Sequence, residues 1–290
     1  MKRWFSAARP KTLPASISPV IIAYSLAYKD GFTSIIILFA CLGVALSAQT
    51  ASNFANDYFD WKKGADSPTR LGPKRAVAMG EITPREMRAG IVFMLALTAA
   101  FGVIIAYERG FWLLAVGVLI CTAALAYSAG PYPLAYHGLG DICVVIFYGL
   151  IPVIFTYYAV TGGVSIQAVL ISLSLGLMAD NILLVNNYRD YREDALSGKN
   201  TSIVLFGRRF GAALFLGNII IAFSIAFYAL QQFSRFFIII YLAFFALTAA
   251  SWVKLNKRDG LELNPLLAEA GRNVLIFALL LSAGALGFFS

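Results

Sequence analysis

Two stretches of this chain crowd oxygen donors onto one side of a helix. In Asn53-Phe54-Ala55-Asn56-Asp57-Tyr58-Phe59-Asp60, the side chains of Asn53, Asn56, Asp57 and Asp60 fall within an arc of roughly 100° at helical rotation. Asp66 follows beyond Gly64, where the chain is expected to turn. In Asn186-Asn187-Tyr188-Arg189-Asp190-Tyr191-Arg192-Glu193-Asp194, residues Asn187, Asp190 and Asp194 are spaced three and four apart and again share a face. An otherwise apolar helix has no packing reason to group amides and carboxylates in this way. The stretches also echo one another: Asn56-Asp57-Tyr58-Phe59-Asp60 aligns with Asn186-Asn187-Tyr188-Arg189-Asp190, each following an apolar block and preceding a basic loop.

Carboxylates on opposed helix ends repel in a low dielectric and require counter-charge. A ligand set made of oxygen suits a hard cation, chiefly Mg²⁺ with Mn²⁺ as an alternative, which keeps waters and bridges carboxylates to phosphate oxygens. The single histidine and three cysteines have no metal-ligand spacing, so a zinc-type site is not expected. The candidate metal ligands are Asn56, Asp57, Asp60, Asp66, Asn187, Asp190 and Asp194, and the carboxylates among them are the candidate catalytic groups. Basic side chains adjoin both clusters. With Asn53, the residues Lys62, Arg70, Lys74, Arg75, Arg189 and Lys199 are candidates to hold a diphosphate, since guanidinium and ammonium donors beside metal-binding carboxylates are the usual means of doing so. For Lys62 and Lys63, simple anchoring at an anionic leaflet competes with that role.

The elements that must position these groups are membrane helices. The chain is 60% hydrophobic with a mean hydropathy of +0.76, well above a soluble domain. The excess falls in blocks of about the length that spans a ~30 Å hydrocarbon core, where unpaired backbone groups force helices. Nine such blocks are expected, at about 14–28, 34–55, 86–107, 111–128, 140–160, 165–188, 210–230, 236–253 and 271–289. The expected fold is all-α and integral to the membrane: one domain over 1–290, with two parallel four-helix halves at about 14–128 and 140–253 and a ninth helix at about 271–289. Of the 23 Lys and Arg residues, only Lys29, Arg109 and Arg235 fall in the odd-numbered loops. The positive-inside rule then places the N-terminus and both clusters in the cytoplasm and the C-terminus outside. The net charge of +8 reflects this topology, and no nucleic-acid partner is implied. A diphosphate held at the mouth of an apolar bundle should carry a lipid tail. Its ionisation would leave an allylic cation that must meet an acceptor before water.

At its two clusters the sequence resembles the UbiA superfamily of intramembrane prenyltransferases. Asn56-Asp57-x-x-Asp60-x-x-x-Gly64-x-Asp66 is similar to the first aspartate-rich motif of that superfamily, and Asp190-x-x-x-Asp194 to the second. Within it, the chain is most similar to the 1,4-dihydroxy-2-naphthoate polyprenyltransferases of menaquinone biosynthesis. That likeness runs through Ala8-Arg9-Pro10-Lys11-Thr12-Leu13-Pro14, Arg70-Leu71-Gly72-Pro73-Lys74-Arg75, Tyr127-Ser128-Ala129-Gly130-Pro131 and Leu263-Asn264-Pro265-Leu266-Leu267. The resemblance implies a bundle around a central cavity in a bacterial inner membrane, with Mg²⁺, a polyprenyl diphosphate and an aromatic acceptor that loses its carboxyl group. Such an acceptor is an anion, and Arg9 and Lys11, between Pro10 and Pro14, are candidates to receive it together with Tyr127. A hydroxybenzoate or a glycerol phosphate lipid is the alternative acceptor.

Three further readings stay open at this point. Tyr127, Ser128, Tyr132 and Tyr136 border a Pro- and Gly-rich segment that either roofs the cavity or merely turns. His137 is an acid–base group or a loop residue, and Asp141 an N-cap or a cavity-lining residue. A secondary transporter also has repeats and intramembrane carboxylates, but its sites lie at the bilayer midplane. Here the clusters sit at one face, mid-span charge is expected to be nearly absent, and Pro152 is the main candidate for a helix break.

Overall fold

The computed structural model describes residues 2–64, 75–130, 132–230 and 234–288. The described residues are helical apart from short loops. In chain order the helices are α1 (Lys2–Ala7), α2 (Leu13–Lys29), α3 (Ile35–Lys62), α4 (Pro84–Arg109), α5 (Leu113–Ala126), α6 (Gly140–Thr161), α7 (Ile166–Leu196), α8 (Ser202–Phe206), α9 (Arg208–Leu230), α10 (Arg235–Lys257) and α11 (Gly260–Ala285). Seven of them, α3, α4, α6, α7, α9, α10 and α11, are long and apolar enough to cross a membrane. The other two expected spans form shorter helices. Leu13–Lys29 has 17 residues and Leu113–Ala126 has 14, or roughly 25 and 21 Å at 1.5 Å per residue. The block expected at 111–128 loses length at both ends, because helix begins only at Leu113 and the chain turns after Ala126.

Local sequence sets most boundaries. Ser34, Ser165 and Ser234 each accept a backbone N–H of the first turn of α3, α7 and α10. Thr83 and Glu86 form a reciprocal capping box on α4, with Pro84 at the first helical position. Gly162 ends α6 in the left-handed conformation. Within α6 the residues Ile146–Leu150 form a π-helical turn just before Pro152, whose ring and missing N–H disrupt regular bonding to the preceding turn.

Packing is by small residues and large apolar ones in turn. α3 lies along α4, α7 along α9, and α11 along α2. At the α6–α7 crossing Gly149 meets the backbone of Ser172 and Gly176, and a Cβ on Gly176 would lie 2.7 Å from the Val145 carbonyl oxygen. Only glycine permits that approach. The larger core gathers Leu26, Val153, Ile171, Leu175, Phe215, Ile219, Phe277 and Leu281 from α2, α6, α7, α9 and α11. A second core, of Ala7, Phe54, Ala76, Val77, Ile82, Met87 and Ile91, ties α1 and the loop before α4 to the end of α3. Outward faces carry exposed Phe39, Val92, Phe93, Val118, Ile239 and Leu247, as lipid contact requires.

Candidate active site

A cavity of about 990 Å³ opens at the ends of α3 and α7 and runs into the bundle. Its mouth is polar, lined by Lys2, Arg9, Asn53, Asn56, Asp60, Arg75, Tyr136, Asn186 and Lys199. Further in, the wall is apolar and aromatic, with Val44, Ala45, Ile105, Val116, Ile120, Phe147 and Phe155.

At the end of α3 the polar face is turned to three segments: the N-terminal one, the loop before α4 and the stretch between α5 and α6. Asn53, 4% exposed, donates to the Ala8 carbonyl at 2.8 Å and to Thr12 Oγ1 at 3.4 Å, so it pins the N-terminal segment to the helix. Asn56 accepts from the Ser128 hydroxyl. Asp57, 3% exposed, accepts the backbone N–H groups of Ala76 at 2.9 Å and Val77 at 3.1 Å. Asp60 pairs with the Arg75 guanidinium and accepts from Tyr136 Oη at 3.3 Å. Lys62 and Lys63 are both exposed, and Lys63 donates to the Ser128 carbonyl at 2.9 Å and lies 4.2 Å over the Tyr136 ring. Partial desolvation lowers the Lys63 ammonium below the ordinary lysine range, against the opposing pull of Asp60.

The end of α7 is more self-contained. Arg189, 3% exposed, grips Asp190 through Nε at 2.6 Å and Nη2 at 2.7 Å. It also donates to Asn186 Oδ1 at 2.8 Å and to Asn264 Oδ1 of α11 at 2.9 Å. Asp194 meets Lys199 Nζ at 3.4 Å. Asn187 is 2% exposed and its Oδ1 has no hydrogen-bond partner. Asn186 and Lys199 reach the cavity, while Asn187, Arg189, Asp190 and Asp194 are buried beside it.

Of the acceptor candidates, Arg9 and Tyr127 line the cavity. Arg9 has φ 52°, the left-handed region, at the turn leading into the Pro10–Thr12 helical turn. The Lys11 side chain lies outside the described structure, as do Asp66, Arg70 and Lys74. His137 stacks on Tyr132 at 3.5 Å, its Nδ1 is 2.9 Å from the Pro133 carbonyl, and its backbone bridges to Asn200, so it braces the loop away from the cavity lining. Asp141 does not cap α6, whose N-cap is Leu139. Mid-span charge is not absent: Asp180 lies within α7, 2% exposed.

Sequence reasoning passed over three groups that the fold brings to this site. Tyr148, placed by the π turn, donates to Gln49, whose Nε2 reaches Asn53 Oδ1 and Thr12 Oγ1, both at 3.4 Å. A lone Gln in an apolar span and an amide directly before the second motif, Asn186, were the available signals.

No cluster of three or more acidic, histidine or cysteine groups able to hold a metal is assembled among the described residues. The donor chemistry nevertheless fits a hard divalent cation. The groups are carboxylate and amide oxygens, the buried Asn187 Oδ1 is unpartnered, and the cavity between the two helix ends leaves room for phosphate oxygens to complete a ligand set.

The pattern of the UbiA prenyltransferase family matches residues 16–281. The chain is 35% identical over 99% of its length to the 1,4-dihydroxy-2-naphthoate octaprenyltransferase of Haemophilus influenzae, covering 96% of that protein. It is 32% identical to the protein of the same name from Mycobacterium tuberculosis, covering 99% of this chain and 97% of that one. A UbiA homolog from Archaeoglobus fulgidus, solved bound to DMAPP and Mg²⁺, shares the fold with a TM-score of 0.69 at 18% identity, over 98% of this chain and 99% of that one. Likeness of this extent takes in both acidic helix ends and the cavity between them, and the chain belongs to the UbiA prenyltransferase family, as an integral membrane enzyme that transfers prenyl groups.

Proposed function

We propose that this enzyme transfers a polyprenyl group from its diphosphate to 1,4-dihydroxy-2-naphthoate, with loss of the acceptor's carboxyl group as CO₂, as a step of menaquinone biosynthesis. The observation that carries the reading is a cavity with a charged mouth and an apolar, aromatic interior. It matches one substrate with an anionic head and a hydrocarbon tail. The names of the Haemophilus and Mycobacterium relatives support the acceptor.

In this mechanism Asn56, Asp57, Asp60 and Asp66 from the first helix end and Asn187, Asp190 and Asp194 from the second would hold Mg²⁺ or Mn²⁺. The metal, when bound, supplies a Lewis acid that stabilises the departing diphosphate. Asn53, Lys62, Arg70, Lys74, Arg75, Arg189 and Lys199 are the proposed diphosphate partners. Arg75 and Lys199, already at the cavity lining, are placed to neutralise the leaving oxygens directly. The Asn53–Gln49–Tyr148 chain fixes the adjoining wall, so ionisation occurs against apolar surface that excludes water. Phe147 and Phe155 face the cavity where an allylic cation would lie and attract it through their ring faces. Arg9 and Lys11 receive the acceptor carboxylate at the mouth, and Tyr127 orients the ring.

The same reading takes the chain as two parallel four-helix halves plus α11, with α2 and α5 completing nine crossings where the bilayer thins around them. Positive charge at the N-terminus and even loops puts the cavity mouth in the cytoplasm of a bacterial cell and the C-terminus outside. The deciding experiment uses purified enzyme, one polyprenyl diphosphate and a panel of dihydroxynaphthoate, hydroxybenzoate and glycerol phosphate lipid acceptors, with products identified by mass. A prenylated, decarboxylated naphthoquinol is the expected product. Prenylation of another acceptor alone would overturn the assignment.

A further inference from the structure

A second pocket lies at the same membrane face as the cavity mouth and shares no lining residue with the cavity. It holds about 290 Å³ between the end of α7, the start of α9 and the end of α10. Arg208, Arg209, Lys257 and Arg258 line it, with Asp259 as the one carboxylate among the described lining residues. Asp259 is already committed. Its Oδ1 accepts the Gly260 N–H at 2.9 Å and meets Arg208 Nη2 at 3.3 Å, and its Oδ2 lies 4.0 Å from Arg192. Among the described residues no carboxylate pairs with Arg209, Lys257 or Arg258. Like charges gathered in a concave site repel one another and raise the local concentration of anions.

Arg208 is set in place before any anion arrives. Its guanidinium carbon lies 4.1 Å over the Tyr188 ring, which holds the plane of the group. Nη2 also reaches the Arg258 carbonyl at 3.4 Å. Nε is buried without an acceptor, and Nη1 makes no hydrogen bond among the described residues. A fixed guanidinium with donors to spare, flanked by three further cations, suits a phosphate group.

The flanks of the pocket select the source of that phosphate. Leu205 and Phe206, just before Gly207, and Leu261, just after Gly260, are all more than half exposed. Phe206 and Phe210 meet ring to ring at 5.0 Å. Arg208 begins one membrane-spanning helix and Lys257 ends the next, so the pocket lies at headgroup depth with apolar side chains beside it. A free phosphate makes no use of those side chains, whereas a phospholipid lays acyl chains against them.

We propose that this pocket binds the phosphodiester headgroup of an anionic phospholipid, with Arg208, Arg209, Lys257 and Arg258 as its cations and Phe206 and Leu261 beside its acyl chains. The lipid ties the start of α9 and the end of α10 to Tyr188, the residue before Arg189, and so braces the α7 end from outside the cavity. This role is independent of which acceptor the enzyme prenylates.

The test uses the full chain in a zwitterionic detergent, titrated with dioctanoyl phosphatidylglycerol, dioctanoyl phosphatidylcholine or inorganic phosphate while thermal unfolding is followed. Phosphatidylglycerol should raise the unfolding midpoint in a saturable way, and the other two at equal concentration should not. In the double variant Arg209→Gln, Lys257→Gln, both exposed positions, the midpoint without lipid and the rate of prenyl transfer in detergent alone should match wild type. Its apparent Kd for phosphatidylglycerol should rise by about 10-fold or more, as expected for two lost juxtamembrane cations. In Arg208→Gln the lipid-dependent shift should vanish. If that variant does not fold, the double variant still decides. An equal shift from phosphatidylcholine or from inorganic phosphate, or a phosphatidylglycerol Kd unchanged in the double variant, would overturn the proposal.

Discussion

The two acidic helix ends echo each other in sequence and are held in opposite ways. At the end of α7 the balance of charge is built into the helix: Arg189 is the residue before Asp190, grips it with two hydrogen bonds and is anchored in turn by Asn186 and Asn264. At the end of α3 the partners of Asn56, Asp57 and Asp60 are imported. Arg75, Ala76 and Val77 come from the loop before α4, and Tyr136 and Ser128 from the segment between α5 and α6. A pair made within one turn of helix forms as soon as the helix does. Carboxylates neutralised from distant loops depend on those loops staying in place, so the α3 end is the one able to reorganise when a charged substrate arrives.

The largest expected effects test whether both ends serve the same chemistry. Chelation of divalent metal by EDTA should abolish turnover. Asp60→Asn and Asp190→Asn should each reduce it by at least ~10²-fold, the scale for a lost electrostatic stabiliser, with the fold intact by circular dichroism. Near-normal turnover in one variant only would break the equivalence of the two ends.

The next contrast is in stability. Arg189→Met strands a buried carboxylate and should lower unfolding free energy by about 3–5 kcal/mol. Arg75→Met should cost clearly less, since Asp60 is 16% exposed and keeps the Tyr136 hydroxyl. Thermal unfolding in detergent ranks the two, and equal losses would erase the distinction between built-in and imported charge balance.

A smaller loss is expected at Asp57. Asp57→Asn keeps an oxygen for one of the two loop amides and leaves the other unsatisfied, worth about 1–3 kcal/mol. It should appear as faster hydrogen exchange at Ala76 and Val77 with little change around α7. Smallest is Asn264→Ala, which removes one hydrogen bond from a guanidinium that retains three others, about 1.5 kcal/mol or less. A larger loss would mean that the α7 end also leans on its distant neighbour.

Much of this was legible in the sequence because membrane helices obey one simple rule. Apolar blocks of sufficient length announced the helices, and amides and carboxylates at their ends announced the cavity mouth. What escaped depends on the third dimension. The shortness of α5 follows from a turn that hydropathy does not register, since Tyr127 and Ala129 are as acceptable in a helix as outside one. The π turn that places Tyr148 leaves only Pro152 as a trace. Asp180 was visible as an acid within an apolar span, but its partner Asn218 lies on another helix, which no local pattern encodes. The roles of Lys62 and Lys63 were likewise undecidable from spacing: adjacent on a helix end, they point about 100° apart, and only one lies over the Tyr136 ring.

The packing of α11 along α2 carries a consequence for how the protein is made. α2 precedes every helix long enough to span and α11 follows the others, and each supplies residues to the same core, Leu26 and Ala27 from α2 and Val274, Phe277 and Ala278 from α11. The seam between them therefore closes only after α11 has been made. Until then α2 has inserted without its partner, and the Arg189 anchor on Asn264 is missing as well. The core beside the α7 end is thus incomplete until α11 is in place. A ribosome stalled before α11 should leave a chain that is inserted in the bilayer yet readily degraded, so membrane quality control can recognise an unfinished copy by its open seam.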